Sequence, residues 1–225
     1  MYESTINFTF DTICPWTYLA KHRLDKALEQ VCTPETSQKV TFTLKYHPYQ
    51  LYPTFSSEGE PKYDWYKRTK YPTDDQMEKY IKVMTFQGAG EIPFNFREGY
   101  IANTLDAHRI IQYFQESKSP EVTNKLVLAL YKAYFEEGKH PSSAETLIAA
   151  CKEAGIDEEE AKRVVEDESE GLMDVKSAIR EQASNGVDSV PVVMIEGRRR
   201  DVTLTGAKEV GEYVKALEQV VKESQ

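Results

Sequence analysis

The chain has 225 residues, of which 40% are hydrophobic and 29% are charged, and its net charge is -9 at pH 7. This composition is typical of a globular protein and excludes a disordered or fibrous one. The negative charge argues against nucleic acid or an anionic membrane as a partner. Residues 1–5 lack the features of a secretory signal, and no segment approaches the roughly 18 apolar residues of a membrane span, so we expect a cytoplasmic protein.

The first elements in chain order are predicted to be a strand, a helix and a strand. Residues 5–10 alternate apolar and polar side chains and include β-branched and aromatic types, which is typical of a strand. After Cys14 the apolar residues follow a helical period, and Pro15 suits the first turn because its missing N–H would be unpaired there. Residues 40–46 alternate again and predict a second strand, which Pro48 terminates.

The middle of the chain, residues 63–182, has a helical pattern that we expect no strand to interrupt. The β pattern resumes at residues 191–195 and 201–204, and an amphipathic helix over residues 206–221 follows. The predicted helices of the middle segment cover residues 75–86, 103–115, 120–136, 143–154, 158–168 and 171–184.

This order of elements predicts an α/β protein. A βαβ unit and a ββα unit flank a helical block of about 120 residues, which is the order of a thioredoxin fold with an all-helical domain inserted between the two units. The predicted thioredoxin-like domain comprises residues 1–55 and 186–225, and the predicted helical insertion domain comprises residues 56–185.

Cys14 lies where the first strand ends and the first helix begins. A thiol at a helix N-terminus faces unpaired backbone N–H groups and the positive end of the helix dipole. Both stabilise the thiolate and lower its pKa below the roughly 8.5 of a free cysteine. We therefore predict that Cys14 is a nucleophile with a lowered pKa. The alternative is an inert cysteine that packs as a small hydrophobic residue.

The other two cysteines, Cys32 and Cys151, form no disulfide framework with Cys14. Together with the four scattered histidines, the cysteines show no zinc-binding spacing, so we expect no metal site and a reducing compartment.

The dipeptide Val190-Pro191 lies at the start of the predicted third strand. A β-branched residue before proline favours an extended backbone. In a thioredoxin-like site a cis proline at this point lies opposite the thiol, and the backbone of the preceding residue can pair with a peptide or with glutathione. Only about one X-Pro bond in twenty is cis in general, so the expectation of a cis Pro191 rests on the fold context.

Four motifs together resemble the FrnE-type branch of the DsbA family. They are residues 11–18, which contain Cys-Pro-Trp-Thr, residues 103–109, residues 133–138, and residues 189–191 followed by 205–207. They occur in the order of that family and cover nearly the whole chain. Related proteins include kappa-class glutathione transferases and 2-hydroxychromene-2-carboxylate isomerases, whose glutathione site is similar. The resemblance implies glutathione as a co-substrate.

The first motif departs from the family pattern at Thr17. FrnE-type proteins usually carry Cys-Pro-Trp-Cys, so this motif cannot close its own disulfide. Cys32 lies about 18 residues further along the same predicted helix, some 27 Å away at about 1.5 Å per residue, which is too far to react with Cys14. Cys151 belongs to the predicted insertion, at a distance that the sequence does not define.

The expected catalytic residues are Cys14 and Thr17, whose hydroxyl could donate to a sulfur. Asn103 and His108 could line the cleft, or Asn103 could cap a helix while His108 and Arg109 stabilise the insertion. The expected glutathione- and substrate-binding residues are Pro15, Trp16, Asn103, His108, Val190, Pro191, Thr205 and Gly206.

Two further groups have alternative interpretations. His47, after the second strand, could act as a base or be a loop residue. An aromatic cluster could wall a pocket for a flat ligand or pack the insertion onto the core. Its members are Tyr46, Tyr49, Tyr52, Phe55, Tyr63, Trp65 and Tyr66.

Three functions remain open. The leading hypothesis is a DsbA-type thiol oxidoreductase that works through Cys14 alone, with glutathione as its partner. The second is a glutathione-dependent isomerase or transferase acting on an aromatic or polyketide-like metabolite, in which Cys14 or Thr17 orients the glutathione sulfur. The third is a non-catalytic thioredoxin-fold binding protein. We expect a small-molecule or disulfide substrate, no nucleic acid and no membrane, and a homodimer is left open.

Overall fold

The computed structural model describes residues 1–224. They divide into two compact units, one formed by Met1–Tyr49 and the chain from Ala178 onward, the other by Gln50–Ser177. The predicted domain boundaries, 1–55 with 186–225 and 56–185, stay a prediction, because compactness alone does not test whether a segment is a separate domain.

The elements of the described chain are assigned in chain order. They are β1 (Tyr2–Phe10), α1 (Pro15–Val31), α2 (Pro34–Ser37), β2 (Val40–Pro48), β3 (Glu60–Pro61), α3 (Lys62–Thr69), α4 (Asp74–Gln87), β4 (Tyr100–Ile101), α5 (Leu105–Ser117), α6 (Pro120–Phe135), α7 (Ala144–Glu153), α8 (Glu158–Glu166), α9 (Leu172–Ser184), β5 (Val192–Ile195), β6 (Val202–Thr205) and α10 (Val210–Glu223).

The first unit is built on a four-stranded sheet of order β2-β1-β5-β6. β1 runs parallel to β2 and antiparallel to β5, and β5 runs antiparallel to β6. Phe8 lies between Tyr46 and Val193 in this register, and all three side chains are fully buried. Full burial of such a side chain contributes about 1.5–3 kcal/mol. The predicted βαβ and ββα units of a thioredoxin fold are thus confirmed.

The opposite side of β1 and β2 carries polar residues that bind the end of α9. Thr9 Oγ1 donates to Gln182 Oε1 at 3.0 Å, and Gln182 Nε2 lies 3.5 Å from His47 Nδ1. The other ring nitrogen of His47 lies 2.7 Å from Asn7 Oδ1. Burial lowers the pKa of His47. Because both ring nitrogens bind neighbouring side chains, His47 serves the packing of α9 on the sheet.

The second unit is mostly helical, but it also contains a short antiparallel pair. β3 pairs with β4 through Glu60 with Ile101 and Pro61 with Tyr100. The expectation that no strand interrupts residues 63–182 is wrong at β4, which lies within that range. This strand was missed because two residues are too few to show an alternating pattern.

Arg109 is a buried structural residue of the second unit. Its guanidinium donates to the carbonyls of Val164, Val165, Asp167 and Glu170 and pairs with Asp106. The bonds to Val164 and Val165 satisfy carbonyls in the last turn of α8, which have no partner within the helix, and the bonds to Asp167 and Glu170 hold the segment that follows it. The structural interpretation of Arg109 is therefore confirmed.

Candidate active site

Cys14 is the N-cap residue of α1, with φ -88° and ψ 114°, and Pro15 follows in the first turn. The carbonyl of Cys14 accepts from the backbone N–H of Thr17 at 3.1 Å and from that of Tyr18 at 3.3 Å. The backbone N–H of Cys14 donates to the Asp11 carbonyl at 3.1 Å. The residue is therefore held at the helix N-terminus, where the sequence pattern predicted it.

The second half of the candidate site is the Val190-Pro191 peptide bond, which is cis, as the fold context predicted. The Cys14 thiol donates to the Val190 carbonyl, with 3.9 Å between Sγ and O. The Pro191 carbonyl accepts from the backbone N–H of Gly206 at 2.8 Å. Motifs from the two ends of the chain thus meet at the sulfur.

The pKa of the Cys14 thiol is raised to about 12, chiefly by burial and in smaller part by the nearby Asp11 carboxylate. Hydrogen bonds from the backbone N–H groups of Thr17 and Trp16, and from the Thr17 hydroxyl, act in the opposite direction but are smaller. The expectation of a lowered pKa is therefore wrong for this conformation. Cys14 is only 4% exposed, and desolvation of the thiolate outweighs the favourable field of the helix N-terminus.

Thr17 is fully buried beside Cys14. Its hydroxyl oxygen lies 2.7 Å from the Asp11 carbonyl and 2.8 Å from the Cys14 carbonyl. It also contributes a hydrogen bond that stabilises the Cys14 thiolate. The single hydroxyl proton is thus shared among competing acceptors, and Thr17 both fixes the turn before α1 and contacts the sulfur.

The other predicted site residues of the first unit differ in burial and in backbone conformation. Pro15 and Pro191 are buried, whereas Trp16 is 39% exposed and is available to a ligand. Thr205 pairs with Val192 across the sheet and is exposed. Gly206 has φ 82°, which favours glycine at this turn.

Asn103 and His108 lie in the second unit. Asn103 Oδ1 accepts from the backbone N–H of Leu105 at 2.9 Å, and Asn103 Nδ2 donates to the Pro53 and Phe55 carbonyls at 3.0 and 3.1 Å. Asn103 therefore lies one residue before the N-cap Thr104, and its side chain binds the first N–H of α5. His108 is fully buried on that helix. A role of these two residues in binding glutathione stays a prediction.

Neither of the two remaining thiols lies at a helix N-terminus, as Cys14 does. Cys32 follows the last residue of α1 and is exposed. The 17 residues of α1 correspond to about 26 Å at about 1.5 Å per residue, so Cys32 is too distant to pair with Cys14. Cys151 is fully buried in α7 of the second unit, and burial raises its pKa to about 12.

The aromatic residues at the start of the second unit pack on one another. The Tyr52 and Trp65 rings meet edge to face with centroids 4.8 Å apart, and Phe55 lies 6.1 Å from Trp65. Tyr49 belongs to the first unit and differs in its role. Its hydroxyl donates to the Asp188 carbonyl at 2.8 Å, a contact that the sequence did not indicate.

Within residues 1–224, no three His, Cys, Asp or Glu side chains come together in a way that would hold a metal ion. None of the helices in the same range is long and apolar enough to cross a membrane.

Solved structures resemble the whole chain. A probable DsbA oxidoreductase from Streptomyces coelicolor is 24% identical, with a TM-score of 0.79 and coverage of 98% of this chain and 91% of that chain. A 2-hydroxychromene-2-carboxylate isomerase is 16% identical, with a TM-score of 0.66 and coverage of 97% of this chain and 96% of that chain. The Pseudomonas aeruginosa cytosolic disulfide reductase DsbM, solved with GSH, is 13% identical, with a TM-score of 0.56 and coverage of 97% of this chain and 96% of that chain.

No curated protein matches the chain by sequence. The family model described as the DSBA-like thioredoxin domain matches residues 5–218. This match covers nearly all of the chain and includes both Cys14 and the cis Pro191. The chain therefore belongs to the family of DSBA-like thioredoxin domains.

Proposed function

We propose that this chain is a glutathione-linked thiol oxidoreductase that works through Cys14 alone. The observation that carries the proposal is the position of the Cys14 sulfur, at the N-terminus of α1 and 3.9 Å from the Val190 carbonyl beside the cis Pro191. Thr17 occupies the place of a second motif thiol. An external thiol must then complete the reaction, and a cytoplasmic protein meets glutathione as an abundant one. The DsbM relative solved with GSH is consistent with this partner.

The proposed reaction has two exchange steps. The Cys14 thiolate attacks the glutathione sulfur of a mixed disulfide between glutathione and a substrate, and the substrate leaves as a thiolate that takes up a proton. A second glutathione thiolate then attacks the glutathione sulfur bound to Cys14, forming glutathione disulfide and releasing Cys14. The net reaction converts the mixed disulfide and one glutathione into the substrate thiol and glutathione disulfide.

The raised pKa of Cys14 constrains this reaction. At neutral pH the resting thiol is protonated, because burial raises its pKa to about 12. The nucleophile therefore forms only after the proton leaves the sulfur, and the rate of exchange at Cys14 should rise with pH across the neutral range.

Cys14→Ser is the direct test. In a Cys32→Ser background, which removes the exposed thiol, treatment with glutathione disulfide is expected to give one adduct by mass spectrometry, at Cys14. Adding Cys14→Ser should remove this adduct and lower kcat/KM for reduction of a small glutathione mixed disulfide by about 1,000-fold or more. Cys32→Ser alone should leave kcat/KM unchanged. Labelling only at Cys151, or turnover that persists without Cys14, would contradict the proposal.

A glutathione-dependent isomerase or transferase is the second candidate, favoured by the same raised pKa. A neutral Cys14 thiol and the Thr17 hydroxyl are donors that could hold a bound glutathione thiolate as the nucleophile. The substrate would be an aromatic or polyketide-like electrophile. This function predicts saturable binding of glutathione in calorimetry without reduction of mixed disulfides. The absence of both binding and turnover would instead favour a non-catalytic binding protein.

A further inference from the structure

We propose that Tyr49 is a positioning residue that holds the loop before Pro191 against the Cys14 thiol. The meaning of this inference for catalysis rests on the proposed function, but the contacts that support it do not. Tyr49 directly follows β2, which ends at Pro48.

Tyr49 contacts both chain segments that form the candidate site. Its backbone N–H donates to the carbonyl of Phe10 at 2.9 Å, at the end of β1 and the start of the turn that carries Cys14. Its hydroxyl donates to the carbonyl of Asp188 at 2.8 Å, two residues before Val190. A single residue thus connects the turn that holds the sulfur with the loop that holds the sulfur's acceptor.

The loop before Pro191 has other attachments at its ends. The Val187 N–H donates to the Gln182 carbonyl at 3.1 Å, which fixes the loop to the end of α9. The Gly206 N–H fixes the Pro191 carbonyl from the neighbouring strand. The Tyr49 hydroxyl acts between these two points, on the segment that leads directly to Val190.

Tyr49 is able to keep this role over a wide pH range. Burial raises the pKa of its hydroxyl, and the carboxylates of Asp188 and Asp11 raise it further. The hydroxyl therefore remains a donor at neutral and mildly alkaline pH, with a carboxylate from each of the two connected segments nearby.

The consequence at the sulfur follows from the Cys14–Val190 contact. An acceptor for the S–H proton stabilises the neutral thiol, and close packing of the loop keeps the thiolate desolvated. If the loop loses the Tyr49 bond, both effects weaken, and the Cys14 pKa should fall. Binding of glutathione should weaken, because Val190 and Pro191 no longer present a fixed surface to it.

Tyr49→Phe removes only the hydroxyl and is expected to fold. In a Cys32→Ser background, the rate of Cys14 alkylation by iodoacetamide is measured against pH. The apparent pKa of Cys14 is expected to fall by about 0.5 unit, which makes alkylation near pH 8 about threefold faster. A change of this size is what the loss of one hydrogen bond can produce. KM for the glutathione mixed disulfide should rise.

Tyr2→Phe is the matched control, because the Tyr2 hydroxyl also donates to a backbone carbonyl of the first unit, that of Glu196 at 3.4 Å. It should leave the alkylation profile of Cys14 unchanged, while either variant lowers Tm by less than about 4 °C. An alkylation profile of Tyr49→Phe that coincides with that of the control would overturn the proposal. Because alkylation needs no glutathione, failure of the proposed function would leave this test intact.

Discussion

Replacing Thr17 with cysteine is expected to convert the single-thiol site into one that closes its own disulfide. The Thr17 hydroxyl already contacts the Cys14 carbonyl at 2.8 Å and hydrogen-bonds the thiol, so a sulfur at this position lies within reach of Cys14. Cys-X-X-Cys motifs at helix N-termini form such disulfides reversibly. After reaction with glutathione disulfide, Thr17→Cys should retain less than about a tenth of the Cys14 adduct, because the new thiol displaces glutathione.

Peptide mapping by mass spectrometry should detect this product as a linkage between residues 14 and 17 that lacks two hydrogens. Thr17→Ser is the matched control, since it keeps a hydroxyl and adds no thiol, and its glutathione adduct should be as stable as that of the unmodified chain. A persistent glutathione adduct on Thr17→Cys would show that the two side chains are not arranged for exchange. The variant should also lose about 1 kcal/mol of stability, because a thiol is the weaker donor to the Asp11 carbonyl.

Lys62→Met is expected to change how the stability of the chain depends on pH. Lys62 is fully buried, its Nζ donates to the Tyr134 carbonyl at 3.0 Å, and it lies 4.4 Å from the centroid of the Tyr134 ring. Burial lowers the pKa of Lys62 from 10.5 to about 8. As the pH falls from about 10.5 to about 8, the unfolded chain therefore binds a proton that the folded chain does not, and stability falls. The loss reaches about 3 kcal/mol and is constant at lower pH.

Urea denaturation of both proteins at about pH 7.5 and about pH 9.5 checks this prediction. The free energy of unfolding of the unmodified chain should rise by about 2 kcal/mol relative to that of Lys62→Met over this interval. Lys125→Met is the control, because Lys125 is an exposed lysine of α6, and its difference from the unmodified chain should not change with pH. A constant difference for Lys62→Met would mean that the buried amine keeps an ordinary pKa.

The main elements of the fold could be predicted because their signals are local. Alternating side chains indicated β1 and β2, the β pattern of residues 191–195 and 201–204 indicated β5 and β6, and Pro15 with the apolar period after it indicated α1. The β3–β4 pair could not be predicted, since it depends on Gly59, whose φ is 70° and whose added Cβ would lie 2.4 Å from the Ile101 carbonyl oxygen. Such a close approach between distant segments leaves no periodic pattern in the sequence.

The candidate site also has features that the sequence predicts and contacts that it does not. The position of Cys14 between a predicted strand and a predicted helix, with Pro15 next, pointed to the thiol, and the expectation of a cis Pro191 followed from the predicted fold. The acceptor of the thiol proton lies 176 residues from Cys14, and the Tyr49 hydroxyl binds a carbonyl 139 residues away. Neither contact has a signal in the sequence, because hydrogen bonds to backbone carbonyls require no particular residue on the acceptor side.

By itself, the sequence determined that the chain has the elements of a thioredoxin fold and that its motif carries one thiol, because residue 17 is threonine. Only the tertiary structure decided the state of that thiol. The position at a helix N-terminus predicts a lowered pKa, whereas burial to 4% exposure raises the pKa to about 12. Burial depends on how distant segments pack around the sulfur, and desolvation of a charge outweighs the field of the helix when no solvent reaches it.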